Sequence, residues 1–355
     1  MTPRFHTLRI AELRRETPEA ISLEFEVPPE LTPEYAFTQG QHITLRTHID
    51  GTEVRRSYSI CAGVDDRRLR VAIKRVPGGR FSVWANTELR PGTTLDVLTP
   101  DGRFHTVLDS NHIKHYAAFA AGAGITPILS LIKTTLAREP GSRFTLLYGN
   151  RRQSTILFQE ELEDLKDRYL SRFTLYNLFS REQQEIDLFN GRLDGAKVRA
   201  FADTLLPVDT IDEAFVCGPG AMIDEIETAL QICGLPSTHV HAERFGVPNI
   251  IAEHRAEPED APQALVTLIS DGVQRELEFR RTDPSILDAA LQAGFDLPFA
   301  CKSGVCCTCR AKVLSGKVRM DKNYGLDPRD LAAGYVLTCQ AHPLTDRVAL
   351  SYDDR

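Results

Sequence analysis

The stretch Cys301-Lys302-Ser303-Gly304-Val305-Cys306-Cys307-Thr308-Cys309, followed about thirty residues later by Cys339, decides how this 355-residue chain is interpreted. The chain has eight cysteines, and five of them lie in this stretch or at Cys339, whereas Cys61, Cys217 and Cys233 are scattered. A secreted disulfide scaffold is short and rich in cysteine throughout, and this chain is neither. Cysteines clustered in one region of such a chain therefore predict a metal site.

The spacing of these cysteines is C-x4-C-x2-C with a remote fourth cysteine, which is typical of a plant-type [2Fe–2S] cluster. The ligands that this spacing assigns are Cys301, Cys306, Cys309 and Cys339. Ser303 and Gly304 are small, so backbone N–H groups can turn toward the sulfurs and tune the reduction potential. A structural zinc site also needs four ligands, but zinc sites more often use two C-x2-C pairs, and only one is present. Cys307 receives no iron and is predicted to be a small filler or a spare thiol.

Composition and charge exclude several classes of protein. With 42% hydrophobic and 26% charged residues, the chain can bury several cores, so a mainly disordered state is excluded. The formal net charge of -7 argues against sequence-independent binding of nucleic acid. No apolar run reaches the ~18 residues of a membrane span, and the N-terminus lacks a signal-peptide pattern. We therefore expect a cytoplasmic protein that binds neither nucleic acid nor membrane.

Residues 1–106 predict an antiparallel β-barrel. Short segments alternate apolar and polar residues with the period of two that half-buried strands show, and Gly and Pro separate them. Many short strands with regular turns are typical of a small barrel. The predicted strands are Ile21–Val27, His42–Thr47, Arg56–Ile60, Leu69–Lys74 and Thr94–Leu98.

Residues 107–245 alternate strands with helices, which predicts a parallel sheet covered by helices on both faces. The predicted strands are His115–Ala121, Phe144–Gly149, Phe173–Phe179, Ala214–Cys217 and His239–Ala242. The predicted helices are Ile125–Arg138, Ser154–Tyr169 and Ala221–Cys233.

The rest of the chain predicts a linker and a third domain. Residues 246–262 are rich in proline and acidic residues without periodicity, which is typical of a linker. In residues 263–355, Asp271-Gly272 between two apolar strands predicts a two-residue hairpin. Asp283 is the predicted N-cap of a helix that has Pro284 at its first position.

Four further motifs carry candidate binding residues. Arg56-Ser57-Tyr58-Ser59 fits R-x-Y-[ST], and Pro77-Gly78-Gly79-Arg80-Phe81-Ser82 follows about twenty residues later. Gly122-Ala123-Gly124-Ile125-Thr126-Pro127 lies between a predicted strand and helix, where a dinucleotide pyrophosphate would meet the helix N-terminus. It has Pro127 in place of the last glycine of the ordinary dinucleotide fingerprint. Cys217-Gly218-Pro219 ends a later strand at the same edge of the sheet.

These motifs resemble those of the ferredoxin–NADP⁺ reductase superfamily, to which residues 1–245 are similar, and residues 264–355 resemble a plant-type ferredoxin. The likeness covers essentially the whole chain, in the domain order of reductase components of bacterial aromatic-degrading oxygenases. It implies a multidomain fold with an antiparallel β-barrel that binds FAD, an α/β parallel-sheet domain that binds NADP, and an α+β β-grasp ferredoxin domain.

The resemblance implies a flavin site on the barrel. In the superfamily, the motif arginine neutralises the flavin phosphate, the tyrosine packs on the flavin ring, and the last hydroxyl bonds near its reactive nitrogen. These roles fall to Arg56, Tyr58 and Ser59, with Ser57 between them, and Ser59 is a candidate catalytic residue. Taken alone, the motif also fits an edge strand with a surface arginine.

The glycine-rich turn resembles the second flavin-phosphate turn of the superfamily, where glycines let backbone N–H groups approach an anion. It implies contacts from Gly78, Gly79, Phe81 and Ser82, and Lys74 on the preceding strand lines the same groove. A plain hairpin turn is the alternative interpretation of the double glycine. We expect FAD rather than FMN, because the closer relatives by resemblance use FAD.

The resemblance also implies a pyridine-nucleotide site. Its members are Gly122, Gly124, Thr126 and Pro127 at the helix start, together with Cys217 and Gly218. Cys217, the second candidate catalytic residue, would lie beside the reactive carbon of the nicotinamide, although an inert buried thiol is the alternative.

Cofactor preference is predicted from Ser180-Arg181, which resembles the superfamily pair that receives the adenosine 2′-phosphate. Arg151 supplies a second cation, and arginine suits phosphate well. Glu182 and Glu185 lie nearby, and an acid near the ribose favours NADH, but we expect NADPH. The segment ending in Phe245 resembles the terminal segment that folds over the flavin, with a surface strand end as the alternative.

The function implied by the resemblance is an NADPH-dependent oxidoreductase that passes electrons through FAD and a [2Fe–2S] cluster to the oxygenase subunits of a multicomponent complex. An alternative client is another aromatic-ring dioxygenase or a di-iron monooxygenase. An alternative of another class is a flavoprotein whose metal site is sensory or structural.

Overall fold

The structure is a computed structural model that describes residues 4–246 and 256–354. Of the predicted linker, residues 247–255 lie outside the described residues. In the described ranges, no helix has both the length and the apolar character that crossing a membrane requires. The chain divides into two compact units, one of His6–Val54 with Tyr58–Phe245 and one of Gly246–Arg355 with Met1–Phe5 and Arg55–Ser57.

Six antiparallel strands and one helix form the predicted barrel. They are β1 (Phe5–Thr17), β2 (Ala20–Glu26), β3 (His42–Ile49), β4 (Thr52–Ser59), β5 (Leu69–Lys74), α1 (Arg80–Glu88) and β6 (Thr94–Leu98). The strand order is β4-β3-β6-β1-β2-β5, and a bridge between Ile60 and Val71 joins the two edges. Since the edges meet, the sheet curls around a core of aliphatic side chains such as Ile10, Leu23 and Ile43.

Two elements of the barrel differ from the prediction. Strand β1 was not predicted, because bulges between Ile10 and Glu12 and between Arg15 and Thr17 interrupt its period of two. Helix α1 begins directly after Gly79, within the segment that the sequence assigns to a phosphate-binding turn. The glycine turn therefore leads into a helix rather than a second strand.

The next part of the chain forms the predicted parallel sheet with helices. Its elements are β7 (His115–Ala121), α2 (Ile125–Arg138), β8 (Arg143–Asn150), α3 (Gln159–Arg168), β9 (Phe173–Phe179), α4 (Gly195–Ala202), β10 (Glu213–Gly218), α5 (Gly220–Ile232) and β11 (Val240–Arg244). The strands lie in the order β11-β10-β7-β8-β9. The chain therefore builds the sheet outward from β7 through β8 and β9, and then adds β10 and β11 on the other side of β7. In open parallel sheets, ligands bind at the carboxyl ends of the strands at such a reversal.

The sheet separates two cores. Ala118 and Ala120 of β7 pack on the side of α2, and Ala117 and Phe119 pack on the side of α4 and α5. The alternating apolar residues of β7 are thus buried on both faces, which explains why this strand is a continuous apolar run. The predicted helix Ser154–Tyr169 is wrong at its start, because Phe158 has a left-handed backbone (φ 59°) and α3 begins only after it.

The C-terminal unit is a mixed sheet with two short helices, which matches the predicted ferredoxin fold. Its elements are β12 (Gln263–Ser270), β13 (Val273–Arg280), α6 (Ile286–Gln292), β14 (Arg310–Ser315), β15 (Val318–Met320), α7 (Pro328–Ala332), β16 (Tyr335–Leu337), β17 (Ala341–Pro343) and β18 (Arg347–Ser351). Five strands are ordered β13-β12-β18-β14-β16, and β15 pairs with β17. Strand β18 runs parallel to β12 in the middle of the sheet.

Of two local predictions for this unit, the hairpin is confirmed and the helix N-cap is wrong. Asp271 and Gly272 have φ values of 52° and 70°, as a two-residue hairpin with both central residues left-handed requires, so the hairpin prediction is confirmed. The N-cap of α6 is Ser285, whose hydroxyl accepts a hydrogen bond from the Asp288 N–H, and not Asp283. Asp283 instead accepts from the Arg280 N–H and closes the preceding turn.

Candidate functional site

The four predicted ligand cysteines converge in two pairs. Cys301, Cys306 and Cys309 lie on the loop between α6 and β14, and Cys339 follows β16. The Thr338 backbone N–H and hydroxyl both bind the Cys309 carbonyl, at 3.2 and 2.9 Å, which brings Cys339 alongside Cys309. The thiols of Cys301 and Cys306 hydrogen-bond to each other, as do those of Cys309 and Cys339.

This paired arrangement suits two irons. In a [2Fe–2S] cluster, each iron takes two protein ligands. The donor set, two adjacent pairs of sulfurs, therefore fits the predicted cluster.

The loop backbone is arranged around the sulfur of Cys301. The N–H groups of Ser303 and Cys306 donate to it at 3.3 and 3.4 Å. The Cys306 thiol and these N–H groups lower the pKa of Cys301 to about 5, although burial opposes the shift. The same contact raises the pKa of the Cys306 thiol, so within this pair the N–H groups favour the thiolate at Cys301. Gly304 has φ +74°, and a Cβ there would lie 3.0 Å from the Lys322 carbonyl oxygen, so the turn requires glycine.

The fifth cysteine of the region packs in the core of the unit. Cys307 is partly buried against the apolar cluster of the ferredoxin-like sheet, and its backbone is left-handed at φ 57°. A Cβ on Gly325 would lie 2.5 Å from the sulfur of Cys307. The side chain thus fills space next to the loop, as the filler interpretation predicts.

The predicted flavin-ring residues lie on β4. Arg56 is exposed, Ser57 and Tyr58 are partly buried, and Ser59 is buried. The Tyr58 ring contacts Phe81 with centroids 5.6 Å apart. Phe81 is only 1% exposed in the barrel core, so its ring packs behind Tyr58.

The predicted phosphate turn has the geometry of an anion cradle. Gly78 has φ +73° with open space where a Cβ would be, and a Cβ on Gly79 would lie 2.6 Å from the Ser82 hydroxyl. That hydroxyl accepts from the Val76 N–H and donates to the Gly79 carbonyl, so it closes the turn. The N–H groups of the first turn of α1 have no carbonyl of the helix to bind, and such groups bind phosphate.

A half-buried carboxyl group lies next to the candidate catalytic serine. The Ser59 hydroxyl donates to Oε2 of Glu243 at 2.9 Å, although the two residues are 184 positions apart. Burial raises the pKa of Glu243 to about 7. Cys217, paired in register with Glu243 across β10 and β11, is fully buried. Burial and the neighbouring Glu243 raise the pKa of the Cys217 thiol, which favours its neutral form.

The loop before α2 touches the end of β10. A Cβ on Gly124 would lie 2.0 Å from the Cys217 carbonyl oxygen, so only glycine permits this approach. Gly122 has φ +53°, and a Cβ there would lie 3.4 Å from Nζ of Lys74, which thus reaches the nucleotide loop from the barrel. Thr126 is buried, and its hydroxyl donates to the Ala123 carbonyl at 3.0 Å. Pro127 is buried in the first turn of α2.

The predicted adenosine-phosphate residues meet at the ends of β8 and β9. The Arg181 N–H donates to the Arg151 carbonyl at 2.9 Å, and the Ser180 N–H donates to the Asn150 carbonyl at 3.0 Å. Both arginines are exposed. Glu182, the acid that complicates the cofactor prediction, accepts from the Gln153 backbone N–H at 3.0 Å.

One buried amide at this edge is incompletely hydrogen-bonded among the described residues. Asn150 ends β8 and is 7% exposed. In the part of the chain that the structure describes, neither its side-chain nitrogen nor its oxygen has a partner at hydrogen-bonding geometry, although the amide lies near the Tyr148 phenol. Buried amides are normally hydrogen-bonded, so this one fits a site completed by a polar ligand such as a dinucleotide.

Phe245 directly follows β11 and is 48% exposed. The preceding Arg244 binds Asp224 at 2.6 Å and Glu227 at 3.2 Å, which anchors the strand end on α5.

Comparisons with known proteins agree with this arrangement. Family models match for an oxidoreductase FAD-binding domain (residues 8–106), an oxidoreductase NAD-binding domain (119–228) and a 2Fe-2S iron-sulfur cluster binding domain (268–344). The chain is 46% identical to one of the subunits of 1,2-phenylacetyl-CoA epoxidase from Escherichia coli K12, over 98% of each chain. It belongs to the oxygenase reductase family.

Other members of this oxygenase reductase family are more distant. The ferredoxin reductase component of 3-ketosteroid-9-alpha-monooxygenase from Rhodococcus rhodochrous is 35% identical over 97% of this chain and 96% of its own length. The solved structure of phthalate dioxygenase reductase covers 98% of both chains with a TM-score of 0.60 at 24% identity, and supports the fold alone. The predicted oxidoreductase class, with FAD-, NAD- and 2Fe-2S-binding domains, is confirmed.

Sequence reasoning missed two residues of this reductase site. No sequence motif assigned a role to Glu243, although a carboxylate at the carboxyl end of a parallel strand could have marked it. Asn150 directly precedes the predicted Arg151, and a polar residue that ends a buried strand is the signal that could have identified it.

Proposed function

We propose that this reductase oxidises NADPH and supplies single electrons to the oxygenase of a phenylacetyl-CoA epoxidase. The 46% identity to a subunit of that enzyme, over 98% of both chains, carries the proposal. FAD accepts a hydride and releases electrons one at a time, and a [2Fe–2S] cluster carries one electron. The chain itself binds and orients these groups.

The residues proposed to hold each group follow from the motifs and their places. FAD is assigned to Arg56, Ser57, Tyr58, Ser59, Lys74, Gly78, Gly79, Phe81 and Ser82. NADPH is assigned to Gly122, Gly124, Thr126, Pro127, Arg151, Ser180, Arg181, Cys217 and Gly218, with Phe245 at the flavin. The cluster is assigned to Cys301, Cys306, Cys309 and Cys339. The positive φ of Gly78 and Gly122 and the sulfur pairs support these assignments.

We also propose the domain boundaries 1–106, 107–245 and 263–355, with a linker at 246–262, and a cytoplasmic location. The linker composition supports a ferredoxin domain that swings between flavin and partner.

Reconstitution tests the client. The purified reductase is combined with the oxygenase subunits of a phenylacetyl-CoA epoxidase, and NADPH oxidation coupled to epoxide formation is measured. A second candidate, the reductase of another oxygenase, is favoured by the 35% identity to the 3-ketosteroid-9-alpha-monooxygenase component. If NADPH oxidation is more tightly coupled to product formation with the oxygenase of that system, or with an aromatic-ring dioxygenase, the second candidate is the correct one.

Arg181→Ala is expected to raise the KM for NADPH by ~10- to 100-fold, because a charge-assisted bond to phosphate contributes ~1.5–3 kcal/mol. The KM for NADH should change less than ~2-fold, since NADH lacks the 2′-phosphate. Steady-state kinetics with both cofactors measure the difference. Arg152→Ala, an exposed neighbour, is the control. An equal rise for NADH would contradict the role of Arg181 in phosphate binding.

Glu243 makes stability depend on pH, and Glu243→Gln should remove that dependence. Its pKa is about 7 in the folded protein against 4.5 unfolded. The folded state therefore favours the protonated carboxyl, and this contribution is present below pH 4.5 and lost as pH rises to about 7. We expect a loss of ~2 kcal/mol in the free energy of unfolding, at 1.36 kcal/mol per pKa unit and reduced for partial exposure.

Urea unfolding at several pH values, followed by the fluorescence of Trp84, the single tryptophan, measures this loss in the barrel that carries Ser59. Glu185→Gln, at an exposed carboxyl group, is the matched control. A pH profile of Glu243→Gln identical to that of the wild type would show that this carboxyl is already ionised at neutral pH.

A further inference from the structure

The side chain of Gln340 connects the two halves of the predicted cluster site. Its amide nitrogen lies 3.1 Å from the Lys302 carbonyl, next to Cys301, and 2.9 Å from the carbonyl of Cys339. The same nitrogen lies 3.8 Å from the Cys339 sulfur, which is within range of an N–H···S hydrogen bond. The amide thus touches one ligand directly and the backbone beside another.

The backbone holds this side chain in place. The Gln340 N–H donates to the Leu337 carbonyl at 2.8 Å, and the Gln340 carbonyl accepts from the Asp321 N–H at 2.9 Å. A Cβ on Gly304 would lie 3.2 Å from Cγ of Gln340, so the methylene groups of Gln340 occupy the space that this glycine leaves open. The amide position is therefore set by the loop at Gly304 and by the backbone bonds to Leu337 and Asp321.

An amide NH₂ group has two N–H donors and here faces three acceptors. When the site gains one electron, no proton is added, and the extra negative charge is shared by the sulfurs. A sulfur that becomes more negative is a better acceptor, so an N–H group directed at it stabilises the reduced form and raises the reduction potential.

We propose that Gln340 is a positioning residue that raises the reduction potential of the [2Fe–2S] site through its N–H···S contact with Cys339. The proposal rests on the proposed function, in which these four cysteines hold the cluster. Gln340 thereby influences how readily the cluster accepts electrons from the flavin, although it is assigned to neither the FAD site nor the NADPH site.

The test uses the full-length holoprotein, prepared anaerobically, and measures the midpoint potential of the cluster by a redox titration followed by EPR. Gln340→Met keeps the length of the side chain and removes both donors, and Gln340→Glu keeps the shape and replaces the donor with a negative charge. We expect Gln340→Met to lower the equilibrium constant for reduction by ~10-fold, which for one electron is 59 mV. Gln340→Glu should shift the potential further in the same direction.

Tyr324→Phe is the matched control. Only the backbone N–H of Tyr324 binds the loop, through the Gly304 carbonyl at 2.9 Å, and its ring is 45% exposed. The potential of this variant should equal that of the wild type. If Gln340→Met does not bind iron, the midpoint potential of Gln340→Glu tests the proposal, because glutamate has the same shape as glutamine.

Two failures are distinguishable. Unchanged potentials in Gln340 variants that retain full iron content would overturn the role of Gln340 and leave the proposed function intact. Wild-type protein that contains no iron would instead overturn the proposed function.

Discussion

Cys339→Ser is expected to lower NADPH-dependent reduction of a one-electron acceptor such as cytochrome c by at least ~100-fold, while NADPH still reduces the flavin within ~2-fold of the wild-type rate. Cys339 is paired with Cys309, so under the proposed ligand assignment the substitution removes one of the two protein ligands of an iron. A serine hydroxyl remains protonated at neutral pH, whereas metal binding requires the deprotonated ligand. Steady-state assays measure the first rate, and stopped-flow bleaching of the flavin absorbance measures the second.

Cys307→Ser is the matched control, because Cys307 lies in the same loop, is partly buried and belongs to neither sulfur pair. It should retain iron and cytochrome c reduction within ~2-fold, since a thiol-to-hydroxyl change keeps the volume nearly constant. Full electron transfer in Cys339→Ser would remove the cluster from the route. Metal analysis of the wild type adds a second check, because zinc in place of iron would contradict the ligand assignment.

Gly124→Ala is expected to weaken the binding of NADP⁺ by ~100-fold and to leave the flavin bound. The added Cβ would lie 2.0 Å from the carbonyl oxygen and 2.5 Å from the carbonyl carbon of Cys217. Both are backbone atoms of β10, so the start of α2 or the strand end must move, and the pyrophosphate depends on that helix start. Titration of the oxidised protein with NADP⁺, followed by the perturbation of the flavin spectrum, measures the dissociation constant.

Gly220→Ala is the matched control, because Gly220 begins α5 and a Cβ there would meet only Nη1 of Arg244 at 3.6 Å. Its dissociation constant should stay within ~2-fold of the wild type, and alanine is a better helix former than glycine. Wild-type affinity in Gly124→Ala would mean that the nucleotide does not depend on this loop.

Features coded by local spacing were predictable from the sequence. The bounds of β7, α2 and β9 agree with the prediction, because an apolar run, a glycine loop and an amphipathic helix each carry their own periodic signal. The four cysteines are brought together as the spacing implies. The hairpin at Asp271-Gly272 is likewise local, since both residues tolerate the left-handed backbone that the turn requires.

Features that depend on tertiary packing were not predictable. The contact between Ser59 and Glu243 joins the barrel to the last strand of the parallel sheet, and no local pattern links residues 184 positions apart. The bulges of β1 are set by pairing with β2, so the strand lacks a regular period in sequence. The cap at Ser285 was missed because Asp283 and Pro284 offer an equally good local signal, and the turn formed with Arg280 decided between them.

The parallel pairing of β12 with β18 has a consequence for biosynthesis. Strand β18 lies between β12 and β14, and its residues, 347–351, are translated after all four ligand cysteines. The five-stranded sheet behind the cysteine loop is therefore complete only once this last strand has been added. Gene fragments that stop before codon 347 should yield a polypeptide that contains every sulfur ligand and retains no iron.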